Sequence, residues 1–305
     1  MPSATAQRTE LEAARIVAGF GRQYAIRMLS DGADHLAVTR GKRTDACVGD
    51  IVDVRVLGSS QAVIESIRPR RTLLMRSDRF RHKLLAANVD RAAIVIAGEP
   101  RFAEDLLLRM LIAIEAADIE VLIVANKTDR EIAHRAIAPR LDVLRAVGYP
   151  VVEIAVGPAP EASVAMLRPW LGDRTTILLG QSGMGKSSLL NALVPDAEQA
   201  TQAISEALGT GRHTTTFTRL FDLQPSVAPQ AHLIDSPGFQ TFGLAHLSAS
   251  QRVHAMPEFR ARLGQCRFLS CTHRHEPGCA IRAAVDAGEI DALRYRLFTE
   301  LIDRD

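Results

Sequence analysis

The sequence predicts a multidomain chain with an N-terminal β-barrel, a central parallel α/β sheet and a C-terminal helical segment that binds a metal. Three observations carry this reading. Apolar and polar residues alternate over short stretches before residue 68, and nearly continuous apolar runs separated by helix-like segments follow from residue 91. Three of the four cysteines then fall within fourteen residues, from Cys266 to Cys279. A length of 305 residues suffices for two or three domains. An apolar share of 47% beside 24% charged residues excludes a disordered chain, a collagen or a coiled coil.

The barrel rests on five short strands expected at residues 14–20, 24–28, 35–39, 50–56 and 62–67. In the fourth, Val52, Val54 and Val56 alternate with Asp53 and Arg55, the period of a half-buried strand. Five strands in about fifty residues fit a barrel of the OB type, a frequent nucleic-acid-binding scaffold. From Arg91 the apolar runs at 92–97, 121–125, 149–155 and 176–179 read as strands buried on both faces. Helices are expected at 102–117, at 130–147 with an interruption at Pro139, and at 162–171. That alternation gives a doubly wound parallel sheet, whose ligands sit at the carboxyl ends of its strands. A helical stretch is expected after Gly243 to Leu263, and a last one from Arg282 to Ile302. The expected domains are 1–72, followed by a basic linker to about residue 88, then 89–243 and 244–305.

A net charge of +2 hides a division along the chain. Residues 1–90 carry 15 Lys and Arg against 10 Asp and Glu, residues 91–250 carry 13 against 17, and residues 251–305 carry 9 against 8. In the strongest run Arg68, Arg70, Arg71, Arg76, Arg79, Arg81 and Lys83 face only Asp78. From Arg252 to Arg282 six Arg stand against two Glu. Basic flanks around an acidic middle suit a grip on a phosphate backbone, although either run alone is equally an ordinary solvated surface. There is no apolar run of membrane-spanning length, and Glu10 and Glu12 stand where a signal peptide needs apolar residues, so a cytoplasmic location is expected.

At the end of the fourth apolar run lies Gly180-Gln181-Ser182-Gly183-Met184-Gly185-Lys186-Ser187-Ser188, followed by a helix-like stretch. This is G-x-x-x-x-G-K-S between a strand and a helix, the setting it requires. Its glycines let backbone N–H groups surround a β-phosphate, and the helix N-terminus adds partial positive charge. Lys186 would bridge the β- and γ-phosphates, and the Ser187 hydroxyl would ligate Mg²⁺. A serine-hydrolase elbow is excluded because G-x-S-x-G is not formed around Ser182.

Asn126-Lys127-Thr128-Asp129 ends another apolar run as N-K-x-D. The Asp129 carboxylate would accept from the N1–H and exocyclic amine of guanine, a donor pair adenine lacks. Only four Lys occur in the chain, and Lys127 and Lys186 both fall in these motifs. Leu233-Ile234-Asp235-Ser236-Pro237-Gly238 supplies D-x-x-G, in which Asp235 would hold Mg²⁺ through water and the Gly238 N–H would sense the γ-phosphate. Between the two lies Gly211-Arg212-His213-Thr214-Thr215-Thr216, where a threonine hydroxyl could complete the metal shell. Thr215 is favoured, and sequence does not separate it from its neighbours. N-K-x-D precedes the phosphate loop here, the reverse of translation-factor-like GTPases, so the expected sheet is circularly permuted.

Cys266, Cys271, His273 and Cys279 offer three thiolates and an imidazole, a closed set for structural Zn²⁺, with His275 as a rival imidazole. Cys47 stands apart as a small core residue.

The permuted order, the Gly180 to Ser188 loop, the Gly211 to Thr216 segment, Asn88-Val89-Asp90 at the junction and the Cys/His cluster together resemble the RsgA (YjeQ-type) family of small ribosomal subunit biogenesis GTPases. The resemblance covers nearly the whole chain. It implies an N-terminal OB fold, a circularly permuted P-loop GTPase domain and a C-terminal zinc-binding domain with His273 as the imidazole ligand. It further implies GTP hydrolysis stimulated by the 30S subunit, with 16S rRNA as partner. Ile154-Ala155-Val156 replace the usual Ser-Ala facing guanine O6. Phe239 follows D-x-x-G where Ras-like enzymes carry a water-orienting Gln, which leaves His213 or a ribosomal group to position the water. A monomer without membrane attachment is expected. Two other readings compete: an RNA-binding factor that senses GTP with little turnover, which Phe239 keeps open, and an ATP-driven protein, which Asn126 to Asp129 oppose.

Overall fold

The computed structural model describes residues 11–41, 45–58, 60–77, 82–197, 217–224, 226–228 and 230–304. β1 (Glu12–Phe20), β2 (Gln23–Met28), β3 (Asp34–Thr39), β4 (Ile51–Val56) and β5 (Gln61–Ile67) pair in the order β1-β2-β3-β5-β4, and β4 returns to β1. The sheet therefore closes on itself, which leaves it no open edge. Alternation drives the closure. Val52 and Val54 are fully buried inside, whereas Asp53 and Arg55 lie on the outer face among Ser66, Arg68 and Glu65. All ladders of the barrel are antiparallel except β3 with β5.

The basic stretch after the barrel carries a hairpin, β6 (Leu73–Ser77) and β7 (His82–Ala87), that the apolar periodicity did not announce. Its first residues are tied back to the barrel: Arg70 donates from Nε and Nη2 to the buried Asp50 carboxylate at 2.7 and 2.8 Å.

β8 (Arg91–Ala97), β9 (Glu120–Asn126), β10 (Val151–Glu153), β11 (Thr175–Leu179), β12 (Arg219–Asp222) and β13 (His232–Asp235) stand in the order β10-β9-β8-β11-β13-β12. Every ladder is parallel except the edge pair β12 with β13. All residues of β8 and β11 are buried, as strands covered on both faces require. β12 also meets β1 at Arg219 and Ala18, so barrel and α/β sheet form one continuous ladder of eleven strands.

α1 (Glu104–Ala116), α2 (Glu131–Val147), α3 (Pro160–Leu171) and α4 (Lys186–Leu193) follow the strands they cover. The expected interruption at Pro139 does not occur, and α2 is continuous. Pro139 and Arg135, whose carbonyl loses its intrahelical donor, both lie on the exposed face of the helix, where a lost bond costs least.

The C-terminal helices are shorter than the sequence led us to expect. The stretch to Leu263 is two helices, α5 (Ala249–His254) and α6 (Pro257–Arg260), because Pro257 forces Met256 into an extended conformation at φ −98° and ψ 104°. The last segment divides into α7 (Ala280–Asp286) and α8 (Ala292–Arg304) around Gly288 at φ +75°. Phe259 and Phe298 pack edge to face at 5.0 Å in their core. Arg140 of α2 reaches Asp291 at 3.1 Å and Arg260 reaches Glu115 of α1 at 2.6 Å, fixing these helices to the sheet layer. Among the described residues no helix is long and apolar enough to cross a membrane.

Candidate functional site

β11 ends at Leu179 and α4 starts at Lys186, so the residues between them form the turn at the carboxyl edge of the sheet. β9 ends at Asn126, two strands away across β8, and β13 ends at Asp235 on the other side of β11. All three motifs therefore reach the same edge. They share a cleft of about 360 Å³ whose wall includes Lys127, Gly183, Lys186, Ser187, Asp235 and Gly238.

Asn126 is the joint between the N-K-x-D turn and the phosphate loop. It is 1% exposed, its Nδ2 donates to the Met184 carbonyl at 2.9 Å, and its Oδ1 accepts from the Val156 N–H at 3.1 Å. The second contact also draws in the segment Ile154 to Val156. A Cβ on Gly185 would lie 2.2 Å from Asn126 Nδ2, and Gly185 sits at φ +96°, so both contact and backbone demand glycine there. Lys127 arches over the loop, and its Nζ donates to the Gly183 carbonyl at 2.7 Å and to the Glu99 carbonyl at 3.0 Å. The Thr128 N–H donates to the Ile154 carbonyl, which leaves Asp129 exposed at the end of the turn.

On the phosphate side, the Lys186 Nζ donates to the carbonyls of Gly180 and Gln181, both at 2.9 Å. Lys186 and Asp235 are 8% and 6% exposed. Burial lowers the lysine pKa, with Asp235 opposing, and pushes the Asp235 carboxyl up to about 6, with Lys186 and the Ser236 N–H opposing. A buried lysine and a reluctant carboxylate facing one cleft suit a ligand that brings phosphate and a divalent cation together. The Ser236 hydroxyl donates to the Leu178 carbonyl at 2.6 Å, pinning the D-x-x-G turn to β11. A Cβ on Gly238 would lie 3.2 Å from both Lys186 Nζ and Ser182 Cα, so this backbone approaches the loop closely. Ser187 and Ser188 are exposed in the first turn of α4. His213 and Thr215, with the rest of residues 211–216, lie outside the described residues.

Phe239 faces inward. It is buried, its ring packs on Phe242 at 5.3 Å, and the Arg76 guanidinium lies 5.3 Å from its centroid. Two contacts of the site had no sequence signal. Gln181 Oε1 accepts from the Ala103 N–H at 3.0 Å, which ties the loop to the start of α1. Arg76 was visible only as one member of a basic run, and its place over Phe239 is set by the unannounced hairpin.

The Cys/His loop converges as its spacing implied. The ligand atoms of Cys266, Cys271, His273 and Cys279 all lie within 4.8 Å of one another. Cys266 Sγ to Cys279 Sγ is 4.0 Å, and His273 Nδ1 stands 3.6 Å from each. A tetrahedral zinc with its usual bonds to sulfur and nitrogen gives edges of about 3.8 and 3.6 Å, so the set fits that ion. Burial lowers the His273 pKa, with Glu276 opposing, which favours the neutral ligand form, and pushes the Cys271 thiol up to about 12. A cation would offset the cost of gathering thiolates there. The rival His275 is exposed and outside the cluster. Tyr295 donates to the His273 carbonyl at 2.6 Å, and Glu276 accepts from Thr272, Arg274 and His275 N–H groups, which hold the loop and keep its carboxylate well below the usual range.

A parallel sheet whose phosphate loop, N-K-x-D turn and D-x-x-G turn meet at one cleft, with N-K-x-D first in the chain, defines a circularly permuted P-loop GTPase. Comparison with known proteins agrees. The family model described as RsgA GTPase matches residues 67–245. The chain is 50% identical over 288 residues to the small ribosomal subunit biogenesis GTPase RsgA of Burkholderia pseudomallei (strain K96243), covering 94% of this chain and 90% of that one. The RsgA of Paraburkholderia xenovorans (strain LB400) is also 50% identical, over 94% and 91%. YjeQ from Thermotoga maritima superposes with a TM-score of 0.74 at 26% identity, over 97% of this chain and 100% of that one. YloQ, described as a circularly permuted GTPase, superposes with a TM-score of 0.68 at 26% identity over 99% of both chains. This chain belongs to the RsgA GTPase family.

Proposed function

We propose that this protein hydrolyses GTP to GDP and phosphate in late maturation of the 30S ribosomal subunit, on stimulation by that subunit. The observation that carries the nucleotide reading is Asn126 joined to Met184, with Lys127 lying on Gly183, which makes base recognition and phosphate binding one rigid unit. The names of the relatives supply the ribosomal setting. In this reading Asp129 accepts from the guanine edge. The N–H groups from Gly180 to Ser188 cradle the phosphates, and Lys186 contacts their outer oxygens. Ser187, Asp235 through water, and Thr215 hold Mg²⁺, which when bound neutralises charge building up between the β- and γ-phosphates. The Gly238 N–H meets the γ-phosphate.

Phe239 is turned into the core, so the attacking water is oriented by His213 or by a group from the subunit. Cys266, Cys271, His273 and Cys279 hold one structural Zn²⁺. The basic flanks contact 16S rRNA, and the protein works as a cytoplasmic monomer. The domain boundaries that go with this reading are 1–72, 89–243 and 244–305, with the hairpin between the first two.

The burial of Phe239 also favours a second reading, an RNA-binding factor that senses GTP with little turnover. GTP turnover titrated with isolated 30S and 50S subunits separates the two. Low intrinsic turnover that rises steeply with 30S and not with 50S supports the enzyme. Unchanged turnover on adding 30S refutes it, and so does a free protein as fast as the stimulated one.

A further inference from the structure

Where barrel, hairpin base and sheet meet, a second cleft of about 430 Å³ opens, distinct from the nucleotide cleft. Its wall includes Arg15 of β1, Arg68 and Arg71 from the chain entering β6, Asn88, Thr175 at the start of β11, and Leu220 of β12. Three guanidinia converge on it. Asp53 pairs with Arg68 at 2.8 Å and Asp90 with Arg71 at 2.7 Å. The Arg15 side chain makes no hydrogen bond or close ion pair among the described residues, and it meets Asp222 and Asp90 only at longer range, with Arg71 and Arg27 opposing. Asp222 is already engaged by Arg27 and His232. The cleft thus holds a surplus cation that burial has partly stripped of water. The Arg71 and Arg68 side chains on its rim are 67% and 48% exposed, so a continuous strand can enter.

We propose that this cleft binds a phosphodiester of an RNA strand, with Arg15 at its floor and Arg68 and Arg71 on its rim. Arginine suits this because its planar fork pairs with two phosphate oxygens and it is weakly hydrated. The cleft lies at the strand ends opposite the nucleotide, so an RNA seated there touches barrel and sheet at once. The assignment deepens the ribosomal reading above and rests on it for the choice of RNA.

The test uses full-length protein and a short fluorescein-labelled single-stranded RNA, with affinity measured across KCl concentrations. Arg15→Gln and Arg71→Gln should each weaken binding roughly fivefold at about 0.1 M salt and flatten the logarithmic salt slope by about 0.7, the change for one lost phosphate contact. Affinity for a fluorescent GDP analogue should stay unchanged. Arg71 lies on the exposed rim, so its variant keeps the test valid if Arg15→Gln destabilises β1. Arg145→Gln, on the outside of α2, should leave the slope alone.

Wild-type slopes in both cleft variants, or an equal loss in Arg145→Gln, overturn the site. So does a loss of thermal stabilisation by inorganic pyrophosphate with RNA binding intact, since the cleft then takes a small anion. Turnover stimulated by 30S, measured on the same proteins, keeps the two readings apart. Wild type without stimulation sinks the ribosomal reading, whereas stimulation with unchanged RNA slopes sinks only the cleft.

Discussion

Replacing Asn126 by Ala tests whether one amide joins base recognition to phosphate binding. The side chain is 1% exposed and makes two hydrogen bonds to backbone, from Nδ2 to the Met184 carbonyl at 2.9 Å and from the Val156 N–H to Oδ1 at 3.1 Å. Alanine leaves that carbonyl and that N–H buried without partners. Each orphaned group costs about 1–3 kcal/mol, so the variant should lose about 3 kcal/mol of stability. At roughly 2–4 °C per kcal/mol this lowers the melting temperature by roughly 6–12 °C. Fluorescent GDP should bind at least about tenfold more weakly, the equivalent of 1.4 kcal/mol of lost pre-organisation. Thr128→Ala, whose neighbouring contact to Ile154 is made by backbone, serves as control and should stay within about 0.5 kcal/mol of wild type. If Asn126→Ala melted with the control and bound nucleotide as tightly, the two motifs would be neighbours without coupling, and the argument for a single rigid unit would fail.

Three further outcomes follow from the same geometry. Asp129→Asn presents a donor to the guanine amine and should lower GTP affinity by about two orders of magnitude without conferring ATP binding, measured by competition; unchanged nucleotide choice would remove Asp129 from the base site. Asp235 has its folded pKa raised from 3.8 to about 6, so its carboxyl stays protonated in the folded chain where the unfolded chain has already ionised, and nucleotide-free stability falls as pH rises from about 4 to 6 and is level above. Asp235→Asn should therefore stabilise the nucleotide-free protein by about 2–3 kcal/mol at pH 7 and by little at pH 3.5, while weakening Mg²⁺-dependent GTP binding; equal melting of the two proteins at pH 7 would contradict the burial effect. Cys271→Ser, or chelation of the wild type, should take bound zinc from one per chain to near zero by elemental analysis and open residues 261–280 to protease, with nucleotide affinity retained because the cluster lies outside that cleft; zinc-free wild type of normal protease resistance would refute a structural metal.

Much of this was legible in the residues. Val52 and Val54 announce the barrel because a half-buried strand has a period of two, and the unbroken apolar runs of β8 and β11 announce a doubly covered sheet. The phosphate loop and N-K-x-D turn were readable because phosphate and guanine demand particular residue types at short spacing. Interruptions were harder. Pro139 did not break α2, since it and Arg135, whose carbonyl loses its donor, both lie on the exposed face, whereas Pro257 and Gly288 did break the C-terminal helices. Only tertiary context decides which proline ends a helix. Least legible was the hairpin of β6 and β7, whose burial does not alternate: Leu85, Ala86 and Ala87 are buried in succession, and the register shifts between Leu74 and Met75.

That hairpin bears on how the nucleotide cleft connects to the rest of the chain. Beyond Gly238 the Phe239 N–H donates to the Gly180 carbonyl at 3.2 Å, so the segment starts out fastened to the phosphate loop. A few residues later Arg76 Nη1 donates to the Thr241 carbonyl at 3.1 Å, and the Ser77 N–H donates to the Gly243 carbonyl at 3.0 Å. The Ala245 N–H then donates to the Ser77 carbonyl at 3.3 Å, and the Ser77 hydroxyl lies 2.7 Å from both the ring and the N–H of His246. The chain from D-x-x-G to α5 is thus joined to β6 by one β-bridge, between Ser77 and Leu244, and capped by the Arg76 guanidinium over Phe239. A shift of Gly238 must carry β6 with it or break several of these bonds at about 1 kcal/mol each. Because the permuted order places this segment at the exit toward the Cys/His loop, the hairpin and the C-terminal helices share one mechanical link to the D-x-x-G end of the cleft.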